Sequence, residues 1–233
     1  EGAAIYLRSG SLTIDDVNFY DNVNTGDAEA TYGWDLGGAI YNDEAFLTIT
    51  NSKFTNNNAL HGPGGAIYNS GSLFIDNTQF TDNGASNIYN RYYMFITNST
   101  FTNNQSHSWS IANTIGYIGN DYHSTIKNST FLGNNSGTNG GAIINLGSSS
   151  EDAIYLEILN TTITGQPGTG IYNESGVIVI NNSTITDNSG YGIHNYGLSA
   201  IIALTNTILA NNSNSDCYVS NNASITVNTN NLI

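Results

Sequence analysis

The residues with chemistry to offer are few and scattered. Eighteen acids face four bases, Arg8, Lys53, Arg91 and Lys127, for a formal charge of −14. Two carboxylates roughly 6.5–9.5 Å apart can run an inverting glycoside hydrolysis. Here the acids come as Asp15-Asp16, Asp27 with Glu29, Asp43-Glu44 and Glu151-Asp152. These fall mostly in turns and loops and share no column. A lyase of acidic polysaccharide needs a strong base and a cation for the substrate carboxylate, and the four bases do not converge. The stretch "GDAEATYGWDLGG", residues 26 to 38, gathers Asp27, Glu29 and Asp35. Hard cations want several oxygens, which makes it a weak calcium candidate. Its spacing is neither that of an EF-hand nor that of the nonapeptide calcium repeat. His61, His107, His123 and His194 show no paired metal-ligand spacing. The lone Cys217 builds neither an internal disulfide nor a cysteine metal site. Apart from that calcium candidate, no cofactor and no catalytic residue is expected.

Aromatic residues are the richer signal. Trp34, Tyr92, Tyr93, Trp109, Tyr117 and Tyr122 stand in or beside irregular segments. Exposed aromatic rings stack on sugars and anchor protein interfaces, so these six are the expected partner-binding residues, for a glycan or a protein. A strongly acidic surface repels nucleic acid and anionic lipid. No apolar run of about 18 residues is present to span a membrane, and no signal peptide is visible. The chain opens on "EGAAIYL", already inside the pattern described next. We therefore expect residues 1 to 233 to be one domain, a piece of a longer surface protein.

What positions these residues is a repeat. Only 9% of residues are charged while Asn fills 38 positions, so amides must carry much of the polar work. An Ile recurs at Ile5, Ile40, Ile67, Ile88, Ile111, Ile143, Ile171 and Ile193. Two residues on stand Asn42, Asn69, Asn90, Asn113, Asn145, Asn173 and Asn195, with Leu7 in the first copy. A second anchor runs Phe19, Phe54, Phe80, Phe101, Phe131, Ile163, Ile185 and Leu209. Three residues before it lie Asp16, Asn51, Asn77, Asn98, Asn128, Asn160, Asn182 and Asn206. Three after it lie Asn22, Asn57, Asn83, Asn104, Asn134, Gln166, Asn188 and Asn212.

Runs such as "SLFI", "FLTI" and "VIVI" are short, β-branched and alternate with period two. No segment sustains a helical period. Units of about 22 residues holding two or three short strands fit coils of a solenoid, stacked about 4.8 Å apart. The expected fold is all-β: a single-stranded right-handed parallel β-helix of about eight coils. Apolar columns fill its interior. The Asn columns form inward ladders in which each amide donates to one neighbour and accepts from the other. On that expectation the Asn-x-Ser/Thr triplets at Asn98, Asn128, Asn160 and Asn182 are buried and closed to glycosylation, and Asn222 is the accessible one.

The chain resembles the right-handed β-helix repeat proteins. Closest in pattern are the "GGAI…F..N" repeats of the chlamydial polymorphic outer-membrane proteins and the adhesin-like surface proteins of methanogenic archaea. The residues that carry the likeness are "GGAIYN" at 37 to 42 and 64 to 69, "GGAIIN" at 140 to 145 and "NSTFTNN" at 98 to 104. The resemblance implies an extracellular adhesive or spacer role at the cell surface or cell wall. Two other readings of the same fold are a polysaccharide lyase or glycoside hydrolase, and a structural filament or sheath subunit whose open ends associate head to tail.

Overall fold

The structure, a computed structural model, describes residues 4–26, 36–105, 109–114, 122–135, 140–147 and 154–233, with backbone alone for Tyr122 and Val227. Among them there is no α-helix, hence none long and apolar enough to cross a membrane. Each of the first eight coils contributes a strand to three parallel sheets. In one coil these are Ile67–Asn69, Ser72–Asp76 and Gln79–Thr81. The coils stack in register: Ile67 pairs with Ile40 below and Ile88 above, and Phe80 pairs with Phe54 and Phe101. The expected right-handed parallel β-helix is the fold observed.

The interior is one apolar cluster built from the predicted columns. Phe19, Phe54, Phe80, Phe101 and Phe131 form a continuous stack, centroids 4.6–4.9 Å apart and planes within 11° of parallel. Such ring contacts add to the burial term. Glycine sets the entry corner. Gly64 has φ +78°, and a Cβ on Gly65 would sit 1.7 Å from the Gly84 carbonyl oxygen of the next coil. Larger residues cannot take that approach.

A closing coil, less apolar than the eight repeat units, follows them, as the resemblance of the end "SDCYVSNNASITVNTNNLI" to such a coil implies. Its strands are Ser215–Ser220 and Ser224–Thr229. Cys217 takes the place of the inward Ile, and Asn228 faces Leu204 after a register shift. Burial, then the charge of Asp216, pushes the Cys217 thiol up to about 11, which leaves it protonated and unreactive.

Two of the three Asn columns are inward ladders as expected. Asn42, Asn69, Asn90, Asn113, Asn145, Asn173 and Asn195 are linked amide to amide, Nδ2 to Oδ1, at 2.6–3.1 Å without a break. The column from Asn22 to Asn212 is equally buried beyond its first member. Each Oδ1 there also accepts from a backbone N–H of the preceding coil, as Asn104 does from Asn83 at 2.9 Å. At Gln166 the amide-to-amide link lapses: Oε1 accepts from the Asn134 N–H at 2.9 Å, while Nε2 donates to the Phe131 and Thr164 carbonyls. Asp216 ends the column by accepting from Asn212 Nδ2 at 2.8 Å, with no amide of its own to pass on.

The third column is a correction. Asn51, Asn77, Asn98, Asn128, Asn160, Asn182 and Asn206 are exposed. Period-two alternation puts Asn51 inward, two residues after the buried Ile49. The strand ends first, at Thr50, and all seven asparagines adopt φ of 46–52°. That left-handed turn swings their side chains out and drops the following residue into the core. Ser52, Thr78, Ser99, Ser129, Thr161, Ser183 and Thr207 are accordingly buried. Their hydroxyls form a further ladder, for instance Thr78 N–H to Ser99 Oγ at 3.1 Å. A second left-handed corner runs through Asp21, Asn56, Asp82, Asn103, Gly133, Gly165, Asp187 and Asn211. Both columns escaped the sequence reading, although each is written in residue types that tolerate positive φ or supply a hydroxyl.

Candidate functional site

On the outer faces, the residues that alternate with the core become columns of their own. The first sheet displays Tyr6, Tyr41, Tyr68, Tyr89, Ala112, Ile144, Tyr172, His194 and Tyr218 in paired register. Neighbouring aromatic rings in this column lie 4.9–5.4 Å apart. Ring contacts at that spacing occupy the faces that a sugar would need. Polar neighbours tie down some rims: Tyr6 Oη donates to Asp43 Oδ2 at 2.9 Å, and Arg91 donates to Tyr68 Oη at 3.1 Å. Burial, then Asp43, pushes the Tyr41 hydroxyl up to about 12. Burial alone holds His194 below its ordinary value.

Trp109 belongs to this column rather than to an exposed loop, which corrects the expectation for it. It is 8% exposed and packs on Ala112, Ile144, Tyr89, Leu146 and Tyr172. The physical reason is Ala112: the one small residue among tyrosines leaves a gap, and the indole fills it.

The second sheet is different. Its outer face carries Phe46 at 66% exposure and Phe74 at 48%. The Phe95 ring lies over Phe74, centroids 4.7 Å apart. Tyr92 and Tyr93 are exposed in the turn that enters Met94–Thr97, as expected for two of the six predicted binding residues. A cleft of about 270 Å³ opens between Phe46, Tyr92, Glu44 and the Ser70–Ser72 turn. Further along the same face, His123 and Tyr155 meet at 4.5 Å. In other coils the Phe74 position holds Thr13, Thr48, Thr125, Glu157 and Val179, so the aromatic patch is local to the second to fourth coils. Sequence reasoning missed Phe46, Phe74 and Phe95. The signal was there: two Phe where the column otherwise favours Thr.

Of the other predicted site residues, Trp34, Tyr117, Asp27, Glu29 and Asp35 lie outside the described residues, and Tyr122 contributes its backbone to the strand Tyr122–Lys127. Among the described residues no three of His, Cys, Asp and Glu come together to hold a metal. Some acids do share a column, against expectation: Asp15 and Asp76 are separated by Thr50 of the intervening coil. Both are engaged. Asp15 Oδ1 accepts from Thr50 Oγ1 at 2.6 Å and Asn51 Nδ2 at 2.7 Å. Asp76 Oδ1 accepts from Thr97 Oγ1 and, at 2.7 Å, from Asn98 Nδ2. These carboxylates staple one coil to the next.

Residues 37–208, well over half of the chain, match the family described as the right handed beta helix region. No curated protein and no solved structure matches the chain.

Proposed function

Since the chain belongs to the right-handed β-helix region family, we propose that it is a non-catalytic adhesin or stalk domain of an extracellular surface protein, of the polymorphic outer-membrane or archaeal adhesin-like type. It holds a binding face on a rigid rod. The observation that carries this reading is the patch of Phe46, Phe74, Tyr92 and Tyr93, all exposed, with the half-buried Phe95 ring stacked on Phe74. Clustered exposed aromatics beside a cleft are a feature of interaction surfaces. The rod supports it cheaply, because ladders and ring stacks fix the patch from beneath. The partner is a cell-surface glycan or protein, and no cofactor is needed to bind it. The use of Asp15 and Asp76 as staples between coils supports a non-catalytic role.

A glycan array and a surface-protein array, each probed with the wild type and with Phe74→Ala/Tyr93→Ala, test the reading. The wild type binds one class of ligand, and the double variant loses at least about tenfold, roughly 1.4 kcal/mol, with an unchanged melting temperature. Equal binding by both proteins removes the patch from the function.

A further inference from the structure

Asn98-Ser99-Thr100, Asn128-Ser129-Thr130, Asn160-Thr161-Thr162 and Asn182-Ser183-Thr184 are four Asn-x-Thr triplets on four consecutive coils. Such triplets are acceptor sequences for N-linked glycans on secreted chains. Seven of the chain's ten triplets fall into two classes by burial; beside them Asn211 and Asn222 are exposed, the latter as expected, and Asn181 is half-buried. Those opening at Asn104, Asn134 and Asn173 have their amides inside, bonded to the next coil or to a backbone carbonyl. A glycan there would break a ladder. The four above stand in the left-handed corner, with their side chains exposed.

Within that corner the four are not equivalent. Asn128 Nδ2 donates to Asn98 Oδ1 and Asn160 Nδ2 to Asn128 Oδ1, both at 3.2 Å, while Asn98 Nδ2 donates to Asp76 at 2.7 Å. Asn182 makes no such bond: Asn206 reaches past it to Asn181 at 3.4 Å. Its amide gives up nothing on modification. Ser183, the middle residue, is buried and accepts from the Thr161 N–H, so the folded triplet is closed to an enzyme. Transfer must precede closure of the coil, and the exposed corner lets the glycan and the fold coexist afterwards.

We propose that Asn182 is the principal N-glycan acceptor of this row of corner triplets, with Asn98, Asn128 and Asn160 secondary to it. The proposal rests on the extracellular reading above, because the donor is met on the export route. The donor class is a lipid-pyrophosphate-linked oligosaccharide. Asn182 Nδ2 bonds to its anomeric carbon, the carbon–oxygen bond to pyrophosphate breaks, the lipid pyrophosphate leaves with the electron pair, and Nδ2 loses one proton to a transferase base. No oxidant or reductant is involved. Successive acceptors are about 4.8 Å apart, closer than the width of a branched glycan. Adjacent sites therefore exclude one another, and a molecule occupied at Asn182 carries at most one more glycan in this row, at Asn128 or Asn98.

The test is glycopeptide mass spectrometry on the protein from its native source, with surface and intracellular pools separated. In the surface pool most copies carry a glycan at Asn182, fewer at Asn128, and none at Asn104, Asn134 or Asn173. Asn182→Gly, which takes the same positive φ without strain, loses that site's mass shift in the same host and keeps its melting temperature. A surface pool bare at Asn182 overturns this proposal and leaves the adhesin reading standing. A protein confined to the intracellular pool overturns both. Glycan at Asn104 or Asn173, or at all four corner sites of one molecule, overturns the sorting by burial and spacing.

Discussion

Two columns of asparagine run along the rod, one sealed inside and one in solvent. From Asn42 to Asn195 the side chains are buried, and beyond Asn42, whose Oδ1 has no partner, each amide is both donor and acceptor in an unbroken chain of bonds. From Asn51 to Asn206 the side chains are exposed and the chain of bonds is broken, with Asn98 turning to Asp76 and Asn206 to Asn181. The inner column uses what the amide side chain can bond. The outer one uses what the asparagine backbone tolerates, a positive φ of about 50° in every copy. One residue type at regular spacing thus answers two separate physical demands, and substitutions tell them apart.

The largest effect belongs to the buried amides. Asn104 Oδ1 accepts from both the N–H and Nδ2 of Asn83, and its own Nδ2 donates to Phe80 O and Asn134 Oδ1. Asn104→Ala strands donors and acceptors on both neighbouring coils and leaves a cavity. The expected loss is about 3 kcal/mol, from more than one unsatisfied buried group. Urea unfolding measures it, with hydrogen exchange on Asn83 and Asn134 reporting whether the damage stays in adjacent coils. A loss under about 0.5 kcal/mol, the scale of an ordinary surface change, would mean that the ladder satisfies groups that water could serve equally well.

The outer column should respond to backbone and not to side chain. Asn128→Ala puts a Cβ at φ 51° with no local hydrogen bonding to offset it, for an expected cost of about 1 kcal/mol. Asn128→Gly should stay within a few tenths of a kcal/mol of the wild type, since glycine takes that φ freely. The other corner already contains Gly133 and Gly165 at φ 63° and 65°. If Gly cost as much as Ala in thermal unfolding, the 3.2 Å bond to Asn98 would be the stabilising feature, and the two columns would differ only in degree.

Fold and burial were unequally legible for the same reason. Apolar columns at Ile67, Leu73, Ile75 and Phe80 announce a solenoid, because an inward strand face must repeat in every coil. Alternation then carries correctly from Ile40 to Asn42, which stay within one strand. It fails from Ile49 to Asn51, because the strand has ended and the corner reverses the facing. The buried Ser or Thr that follows each such Asn was the missing clue. At the candidate site, Phe74 was readable as an outward residue between Leu73 and Ile75. Trp109 was not readable, since its burial depends on the gap above Ala112, and Ala112 is a neighbour only once coils are stacked.

The smallest effect sits where the exposed corner meets a charge. The bond from Thr50, then that from Asn51, holds the Asp15 carboxyl below its ordinary value of 3.8. A depressed folded value means the unfolded chain takes up its proton first on acidification. The stabilisation is complete well above 3.8 and is lost as the pH falls through the folded value. Asp15→Asn keeps an Oδ1 to accept from Thr50 and Asn51 and removes the titration. Both proteins should therefore match in melting temperature at neutral pH and separate only below about pH 4, where the wild type falls faster. The difference must be small, because the carboxylate is fully solvated and screened. Parallel curves across the acid range would show that the Asp15 staple acts through geometry alone, as the uncharged buried ladders do. That result would bring inner and outer columns closer together than their burial implies.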